Sequence, residues 1–347
     1  MINIGIICPS EIALRRFLPA LSKLNDFFRF VGVAIATPEE WFGEISGISS
    51  KRIEEQQESE LRKAIKFTEH YGGKVFKGYE TMIKSDLIDA IYIPLPPALH
   101  FKWAKLSLEN QKHVFVEKPS TTHYKDTASL ISIAEKNSLA LHENYMFVFH
   151  KQIQALNEVV AEGKIGVPRL YRISFGFPKR APSDFRYNKM LGGGALLDAG
   201  GYTIKYASML LGSTAKLTTA QVNYSKEFDV DIFGSATMVN DEGMTAQLAF
   251  GMDNDYMCNI EIWGSMGTIS SNRILTAPDG FKPKYKLKKN QDYSEHELPE
   301  DDAFKKSLIR FFDCINFDIY RKENYNILLR QAHLMQQFKD MAMTKTR

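Results

Sequence analysis

Short apolar runs alternate with amphipathic stretches from the start of the chain to about residue 144. The apolar runs have strand length and cover residues 2–8, 28–36, 75–78, 89–93, 114–117 and 139–144. Helical spacing lies between them, at residues 11–24, from about 50 to 71, and at 79–85, 100–110 and 120–137. Because strands and helices alternate, this part of the chain predicts a mostly parallel sheet covered by helices.

The pattern changes from about residue 168. Strand-like runs at residues 169–177, 214–224, 231–239, 244–250 and 256–264 follow one another with few helices between them. Helices are predicted at residues 150–162, 202–211, 301–321 and 325–343. The predicted fold class is α/β, with a first domain, built on the parallel sheet, at residues 1–121. A second α/β domain, with an open and mostly antiparallel sheet, is predicted at residues 122–347, and its last helices can pack back on the first domain.

Length and composition narrow the possible functions. A chain of 347 residues suggests two domains. The net charge of +3 gives no reason to expect nucleic acid or a membrane surface as a partner, and the basic run at residues 282–289 alternates like a solvated strand. Three distant cysteines and no apolar run of membrane-spanning length predict a cytoplasmic protein without a disulfide framework. The eight histidines lack the spacing of metal ligands, so no metal site is expected.

The first strand, helix and second strand form a unit of about the length that binds a mononucleotide. Cys8, Ser10 and Ala13 stand where the fingerprint G-x-G-x-x-G would place its glycines. All three are small, so the backbone can still approach a pyrophosphate at the helix N-terminus. The residues predicted to form this cofactor loop are Cys8, Pro9, Ser10, Glu11 and Ile12.

The second strand ends at Ala36 and Thr37, which are predicted to lie beside the cofactor ribose. An acidic residue at this tip would favour NAD and an arginine would favour NADP, but neither is present. Glu39 and Glu40 are interpreted as first-turn residues of the next helix. The choice between NAD and NADP therefore stays open.

Lys118 directly follows the strand at residues 114–117, and Pro119 disfavours a helical conformation for it. An ammonium group is thus placed at the carboxyl end of a strand, where open α/β sheets bind ligands. The alternative is an ordinary surface lysine at a strand exit. After the preceding strand, the residues predicted to line the ribose–nicotinamide side of the cleft are Pro94, Leu95, Pro96 and His100.

A second unusual stretch begins with three glycines at residues 192–194, which would let a backbone approach a ligand closely. A helix is predicted from Tyr202 to residue 211, and Gly212 ends it. Asp198 and Tyr202 are four residues apart and share one face if the helix starts at the acid. The alternative is that Asp198 caps the helix and Tyr202 packs in the core.

Together these segments resemble the glucose–fructose oxidoreductase, inositol dehydrogenase and MocA family over nearly the whole chain. The resemblance is carried by residues 92–97 with His100, and by residues 112–119, 185–187, 192–212 and 263–268. It implies a Rossmann first domain, an active-site lysine at Lys118, and the Asp-x-x-x-His pair of the family at Asp198 and Tyr202. It also extends the cofactor contacts to Glu117, Asn144 and Arg186.

A tyrosine in place of the family histidine is similar to the branch containing glucose–fructose oxidoreductase, dihydrodiol dehydrogenases and nucleotide-sugar ketoreductases. The resemblance implies an oxidoreductase that uses NAD or NADP to interconvert CH–OH and C=O on a sugar or nucleotide-linked ketosugar. It also implies a homodimer or homotetramer formed through the open sheet. Two alternatives remain: a dehydrogenase of a non-sugar diol such as an aromatic dihydrodiol, and a catalytically idle dinucleotide-binding regulator.

If a ketone is reduced, its oxygen must receive a proton. Tyr202 is the leading donor, and the ammonium of Lys118 would lower its ordinary pKa of about 10. Asp198 would orient one of these two groups or bind a substrate hydroxyl. Whether Lys118 or Tyr202 donates the proton stays open, as do the exact substrate and the direction of the reaction.

Overall fold

The structure, a computed structural model, describes residues 1–344. The chain divides into two compact units. The first contains residues 1–121, 125–144 and 307–328, and the second contains residues 122–124, 145–306 and those from 329 onward. Each unit is built around one sheet.

The sheet of the first unit has six strands, all parallel, in the order β3-β2-β1-β4-β5-β6. This is the strand order of a doubly wound dinucleotide-binding sheet, so the predicted Rossmann fold is confirmed. Every residue of β4 is buried, as expected for a central strand covered on both faces. The strands are β1 Ile2–Ile7, β2 Phe28–Ile35, β3 Lys74–Lys77, β4 Ala90–Ile93, β5 His113–Val116 and β6 Leu141–Glu143.

The helices of this unit differ from the sequence-based prediction at three places. Before α1, the turn Ala13–Phe17 is π-helical, since Pro19 has no amide hydrogen to continue an α-helical ladder. α5 begins at Pro97 instead of His100, because proline is well suited to the first helical position. α6 begins at Tyr124 instead of residue 120. The helices are α1 Leu18–Leu21, α2 Pro38–Phe42, α3 Ser50–Tyr71, α4 Tyr79–Ile83, α5 Pro97–Glu109 and α6 Tyr124–Lys136.

The second unit contains an eight-stranded sheet in the order β14-β13-β12-β11-β7-β10-β9-β8. All neighbours are antiparallel except β7 and β10, so the predicted open, mostly antiparallel sheet is confirmed. The helices are α7 Lys151–Ala161 and α8 Gly201–Leu211, and a π-helical turn, Leu196–Gly200, precedes α8. The strands are β7 Pro168–Phe177, β8 Lys216–Tyr224, β9 Asp231–Val239, β10 Thr245–Met252, β11 Met257–Gly264, β12 Thr268–Asn272, β13 Lys284–Lys289 and β14 Asp292–Glu297.

Two strands, β12 and β14, were not predicted. β14 is exposed along its whole length, so it lacks the alternation of apolar and polar residues that marks a half-buried strand. β13 falls within the basic run and is largely solvated, as predicted.

The sheet of the second unit buries one face and exposes the other. Ile173 on β7, Leu248 on β10 and Ile260 on β11 belong to the buried core. Their neighbours along the strands, such as Arg172 and Gln247, are exposed and hydrogen-bonded to each other at 3.1 Å. Because successive side chains of a strand point to opposite faces of the sheet, these polar side chains lie on its outer face.

The last two helices are α9 Ala303–Asn316 and α10 Asp318–Thr344. They separate at Phe317, earlier than the sequence predicts, because the Arg321 guanidinium donates to the carbonyls of Cys314 and Ile315 at the end of α9. Residues 307–328 of these helices belong to the first unit. Residues 125–144 also belong to the first unit, because β6 pairs with β5. The boundary predicted from the sequence lies at residue 121.

Within residues 1–344, no helix combines the length and the apolar character that crossing a bilayer requires. The same part of the chain contains no group of three or more side chains placed to hold a metal ion.

Candidate active site

The candidate residues of the first unit follow the carboxyl ends of its parallel strands. β1 leads to Cys8, β2 to Ala36, β4 to Pro94, β5 to Glu117 and β6 to Asn144. Parallel strands present these ends at one edge of the sheet. The fold therefore brings the predicted residues to the edge where such sheets bind ligands.

In the loop after β1, Cys8 adopts a backbone conformation that usually requires glycine. Cys8 has a φ of 81°, in the left-handed region that glycine adopts without steric cost. The Ser10 hydroxyl accepts a hydrogen bond from the Ala13 amide at 3.3 Å, and the Ser10 amide donates to the Cys8 carbonyl at 2.9 Å. Burial raises the pKa of the Cys8 thiol to about 12, so the loop carries no thiolate. The remaining predicted loop residues are Pro9, Glu11 and Ile12.

The tip of β2 is organised by Glu40. Thr37 caps α2, and the Glu40 carboxylate accepts hydrogen bonds from the amides of Thr37, Tyr79 and Glu80 at 2.8–2.9 Å. Glu39 and Glu40 lie in the first turn of α2, as predicted. Because Glu40 is committed to three backbone amides, it does not replace the acidic residue that reads a ribose hydroxyl in NAD-specific sites.

In the described part of the chain, buried polar atoms without partners lie near the ends of β1 and β2. The Gln57 amide donates to the Ala36 carbonyl at 2.8 Å, which brings α3 to the tip of β2. On the same helix, Glu60 Oε2 and Gln56 Nε2 are buried without hydrogen-bond partners among the described residues. Glu60 also contributes to the raised pKa of Cys8, so it lies near the end of β1. A hydroxyl-rich group bound between the two strand ends would satisfy these atoms, which fits the ribose of a dinucleotide.

His100 connects two of the strand-end loops. The ring is fully buried, with Nδ1 2.8 Å from the Pro119 carbonyl and Nε2 2.7 Å from the Leu95 carbonyl. Burial lowers the pKa of His100 to about 4, although the two carbonyl oxygens favour the charged ring. Both ring nitrogens face protein, so His100 acts on the site by joining the loop after β4 to the segment after Lys118.

The segment carrying Lys118 rests on a buried polar network. The Glu117 carboxylate accepts hydrogen bonds from the Tyr92 hydroxyl at 2.7 Å and the Asn144 amide at 2.8 Å. The Asn144 oxygen in turn accepts from the hydroxyl of Ser307, on α9, at 2.9 Å. Burial raises the pKa of Glu117, and these hydrogen bonds oppose the shift. Lys118 itself is half-buried, and the bond to Pro119 is cis.

In the second unit, Asp198 forms an ion pair with Arg186. Arg186 Nε lies 2.6 Å from Asp198 Oδ2, and Nη1 lies 3.1 Å from Asp184 Oδ1. Burial lowers the pKa of the Arg186 guanidinium, but the carboxylates of Asp198 and Asp184 raise it by more. Asp198 lies inside the π-helical turn before α8, and the N-cap residue of α8 is Gly200. Asp198 therefore does not occupy the N-cap position of that helix.

At Gly193 and Gly194, the space that a side chain would fill is occupied by other parts of the protein. A Cβ on Gly193 would collide with the carbonyl of Arg186, and one on Gly194 would collide with the carboxylate of Asp231. Asp231 Oδ2 accepts a hydrogen bond from the Leu196 amide at 2.5 Å, which caps the helical segment leading to α8. The close backbone approach predicted for a ligand is thus an approach to neighbouring parts of the chain.

Tyr202 lies in an aromatic cluster at the start of α8. Its ring centroid is 5.1 Å from that of Tyr145, 5.7 Å from Phe147 and 5.2 Å from Phe175, and the residue is 8% exposed. The cluster fixes the ring, so the position of the hydroxyl is set by packing. α8 ends at Leu211 with Gly212 as its cap, as predicted.

The groups that support the candidate residues were not predicted from the sequence. Asp231, Tyr92 and Ser307 are far in sequence from the residues that they contact, and no periodicity marks them. Asp184 had a usable signal: it caps the short turn Phe185–Tyr187, where its side chain accepts from the Arg186 amide.

Two family descriptions match the chain. Residues 3–145 match the oxidoreductase family with an NAD-binding Rossmann fold, and residues 153–270 match the GFO/IDH/MocA C-terminal domain. Among individual proteins, dTDP-3,4-didehydro-2,6-dideoxy-alpha-D-glucose 3-reductase from Actinomadura kijaniata is 34% identical over 96% of this chain and 93% of its own. The enzyme of the same name from Streptomyces violaceoruber is 34% identical over 90% of this chain and 85% of its own.

A solved structure is similar over the whole chain. It is a 3-ketoreductase from Actinomadura kijaniata in complex with NADP and TDP-benzene, with a TM-score of 0.88, 33% identity and 98% coverage of both chains. Other structures of that ketoreductase carry a substitution of one lysine or of one tyrosine, which are 84 positions apart in its chain. The predicted NAD(P)-dependent oxidoreductase acting on CH–OH or C=O groups is confirmed, and the chain belongs to the GFO/IDH/MocA family of oxidoreductases.

Proposed function

We propose that this protein reduces the ketone of a nucleotide-linked ketosugar, with NADPH as the hydride donor. The enzymes named dTDP-3,4-didehydro-2,6-dideoxy-alpha-D-glucose 3-reductase are similar to this chain over 89–96% of its length in three organisms. The substrate class that we propose is therefore a sugar bearing a 3-keto group and linked to a pyrimidine nucleotide.

One observation supports assigning the proposed reaction to two individual residues. The lysine and the tyrosine chosen for substitution in the similar 3-ketoreductase are 84 positions apart, and so are Lys118 and Tyr202. With 98% of both chains covered, this equal separation supports Lys118 and Tyr202 as the corresponding pair. Both residues also lie at positions that the fold makes suitable, one at a strand end and one at the start of a helix.

In the proposed reaction, a bound nicotinamide supplies a hydride to the carbonyl carbon. Lys118 polarises the carbonyl through its ammonium group, which favours the negative charge that develops on oxygen. Tyr202 donates the proton that this oxygen requires. Asp198 remains an ion-paired carboxylate and takes no part in that proton transfer.

For the cofactor, we propose contacts from the loop after β1, the tip of β2 and the loops after β4, β5 and β6. NADP is favoured over NAD because the similar 3-ketoreductase binds NADP, and because Glu40, the acid in the capping box that follows β2, is bound to three amides. The proposed contact residues are Cys8, Pro9, Ser10, Glu11, Ile12, Ala36, Thr37, Pro94, Leu95, Pro96, Glu117, Lys118 and Asn144.

The function is tested by incubating the purified protein with dTDP-3,4-didehydro-2,6-dideoxy-alpha-D-glucose and either NADPH or NADH. We expect saturable oxidation of NADPH and a product in which the ketone at C3 has become a hydroxyl group. Calorimetric titration should give tighter binding of NADP than of NAD. Turnover of an aromatic dihydrodiol or a free aldose, without turnover of the nucleotide-linked ketosugar, would contradict the proposal.

We further propose a cytoplasmic homodimer or homotetramer that assembles through the exposed face of the second sheet. This face carries large side chains at Phe233, Met257 and Trp263, and the Arg172 guanidinium lies 4.2 Å from the Trp263 ring centroid. Aromatic residues and arginine are the side chains enriched in protein interfaces. Light scattering should report a multiple of the 39.6 kDa chain mass, and Trp263→Glu should lower it.

A further inference from the structure

We propose that Arg186 is a positioning residue that holds Asp198 as a carboxylate acceptor for a hydroxyl group of the substrate. The inference rests on the proposed function for the identity of the substrate. The contact between the two residues, however, is a property of the second unit alone and can be tested without turnover.

The guanidinium of Arg186 is fixed along its edge by two carboxylates. Nε donates to Asp198 Oδ2 at 2.6 Å, and Nη1 donates to Asp184 Oδ1 at 3.1 Å. Asp184 Oδ1 also accepts the backbone amide of Arg186 at 3.0 Å, so one carboxylate holds both the main chain and the side chain of the arginine. Because the Arg186 guanidinium is planar and its N–H donors point in fixed directions, its position determines where the Asp198 carboxylate lies.

Two aromatic rings and the backbone complete the support. The guanidinium carbon lies 4.6 Å from the ring centroid of Phe185 and 5.9 Å from that of Phe177. The Gly194 amide donates to the Arg186 carbonyl at 2.9 Å, and Gly193 leaves the space that this close approach requires. The turn that carries Arg186 is thereby attached to the segment that leads to Asp198.

The charge of the arginine determines what Asp198 can do. The side chains of Asp198 and Arg186 are only 13% and 24% exposed, so water screens the pair weakly. A cation at this distance favours the ionised carboxyl. An ionised carboxylate accepts hydrogen bonds and has no proton to donate, which suits it to bind a substrate hydroxyl.

The first test follows the ionisation of Asp198 directly. Protein labelled with carbon-13 at the aspartate carboxyl carbons is titrated by NMR, and the Asp198 signal is assigned from its loss in Asp198→Asn. Arg186→Met should raise the pKa of the Asp198 carboxyl by about 1–3. Performing the comparison also in an Asp184→Asn background removes the second carboxylate, so that the change is assigned to Asp198 alone.

The second test uses the complete enzyme with NADPH and the dTDP-ketosugar. Arg186→Met should lower kcat/KM about 10–100-fold at neutral pH, with a further loss on acidification that the unmodified enzyme does not show. Guanidinium ion added to Arg186→Ala should restore part of the activity, and Arg186→Lys should retain more activity than Arg186→Met. Arg180→Met is the matched control, because Arg180 is exposed and lies over the same Phe177 ring, 5.4 Å from its centroid.

The outcomes separate the two proposals. An unchanged Asp198 titration in folded Arg186→Met or Arg186→Ala protein overturns the positioning role, whatever the substrate is. A raised pKa in an enzyme that does not reduce the dTDP-ketosugar supports the positioning role and contradicts the proposed function. Circular dichroism identifies any variant that fails to fold, and if Arg186→Met does not fold, Arg186→Ala supplies the comparison.

Discussion

The strand end that carries Lys118 and the turn that precedes Tyr202 are stabilised by different kinds of interaction. Around Lys118 the supporting contacts are hydrogen bonds among Tyr92, Glu117, Asn144 and Ser307, with a parallel sheet beneath. The turn before Tyr202 depends on charged groups, with Asp198 paired to Arg186 and the carboxylate of Asp231 at a backbone amide. The strand end at Lys118 therefore depends on keeping its polar side chains buried and hydrogen-bonded, whereas the turn before Tyr202 depends on keeping its charged side chains paired.

The largest expected effect is on catalysis. Lys118→Met and Tyr202→Phe should each lower kcat about 10²–10⁴-fold, the range that a general acid contributes, while both proteins stay folded. If the two residues serve the same proton-transfer step, the double variant should be little slower than the slower single variant. Single-turnover measurement of NADPH oxidation provides the test.

Tyr206→Phe is the matched control for the tyrosine. Tyr206 lies one turn later on α8 and is fully buried, and its hydroxyl has no hydrogen-bond partner among the described residues. Removing this hydroxyl group should leave kcat unchanged, and the free energy of unfolding should stay equal or become higher. Near-normal turnover by Tyr202→Phe alongside an inactive Lys118→Met would assign the proton to Lys118.

The next largest effect tests how the turn is packed. Gly193→Ala should destabilise the protein by roughly 3 kcal/mol, because the added Cβ meets backbone atoms of Arg186 and Asn188 that cannot move independently. Gly163→Ala has open space but a φ of 69°, and should cost only about 1 kcal/mol. Urea unfolding measures both, and equal losses would show that the turn can relax around a methyl group.

Acid should act on the strand-end half through a partly buried histidine. Burial lowers the pKa of His113 to about 4, so its ring is neutral in the folded chain but binds a proton near pH 6.5 when unfolded. The unfolded state therefore binds more protons between pH 6.5 and 4, and stability falls as pH falls through that window. At pH 5.5 the loss should be about 1 kcal/mol.

Variants distinguish this loss from general acid denaturation. His113 Nδ1 accepts a hydrogen bond from the Ala140 amide at 3.0 Å, and protonation removes that acceptor. His113→Asn should therefore reduce the difference in the free energy of unfolding between pH 7 and pH 5.5. His70→Asn, on the exposed face of α3, should leave the difference unchanged.

The smallest effect concerns the loop after β1. Because Cys8 has a φ of 81°, Cys8→Gly should be about 1 kcal/mol more stable than Cys8→Ala, the reverse of the usual order of these two residues. Thermal unfolding of the two variants measures the difference. A more stable alanine variant would show that the loop does not hold the left-handed conformation.

Features that depend on periodicity were predictable from the sequence. The parallel sheet of the first unit, the strand end at Lys118 and the helix that stops at Gly212 all follow from local patterns. The contacts of His100 were not predictable, since they depend on two loops that meet only in the folded chain. The same holds for the pair between Arg186 and Asp198, whose partners are separated by the glycine-rich turn.

The C-terminal helices have a consequence for synthesis on the ribosome. Ser307 bonds to Asn144 from 163 residues further along the chain, and the Phe311 ring packs 5.3 Å from Phe115 in the first sheet. At about 5–20 residues per second, translation leaves that surface of the nascent sheet uncovered for roughly ten seconds or more. A chain stalled near residue 300 should therefore bind an apolar dye and a chaperone that the finished protein does not bind.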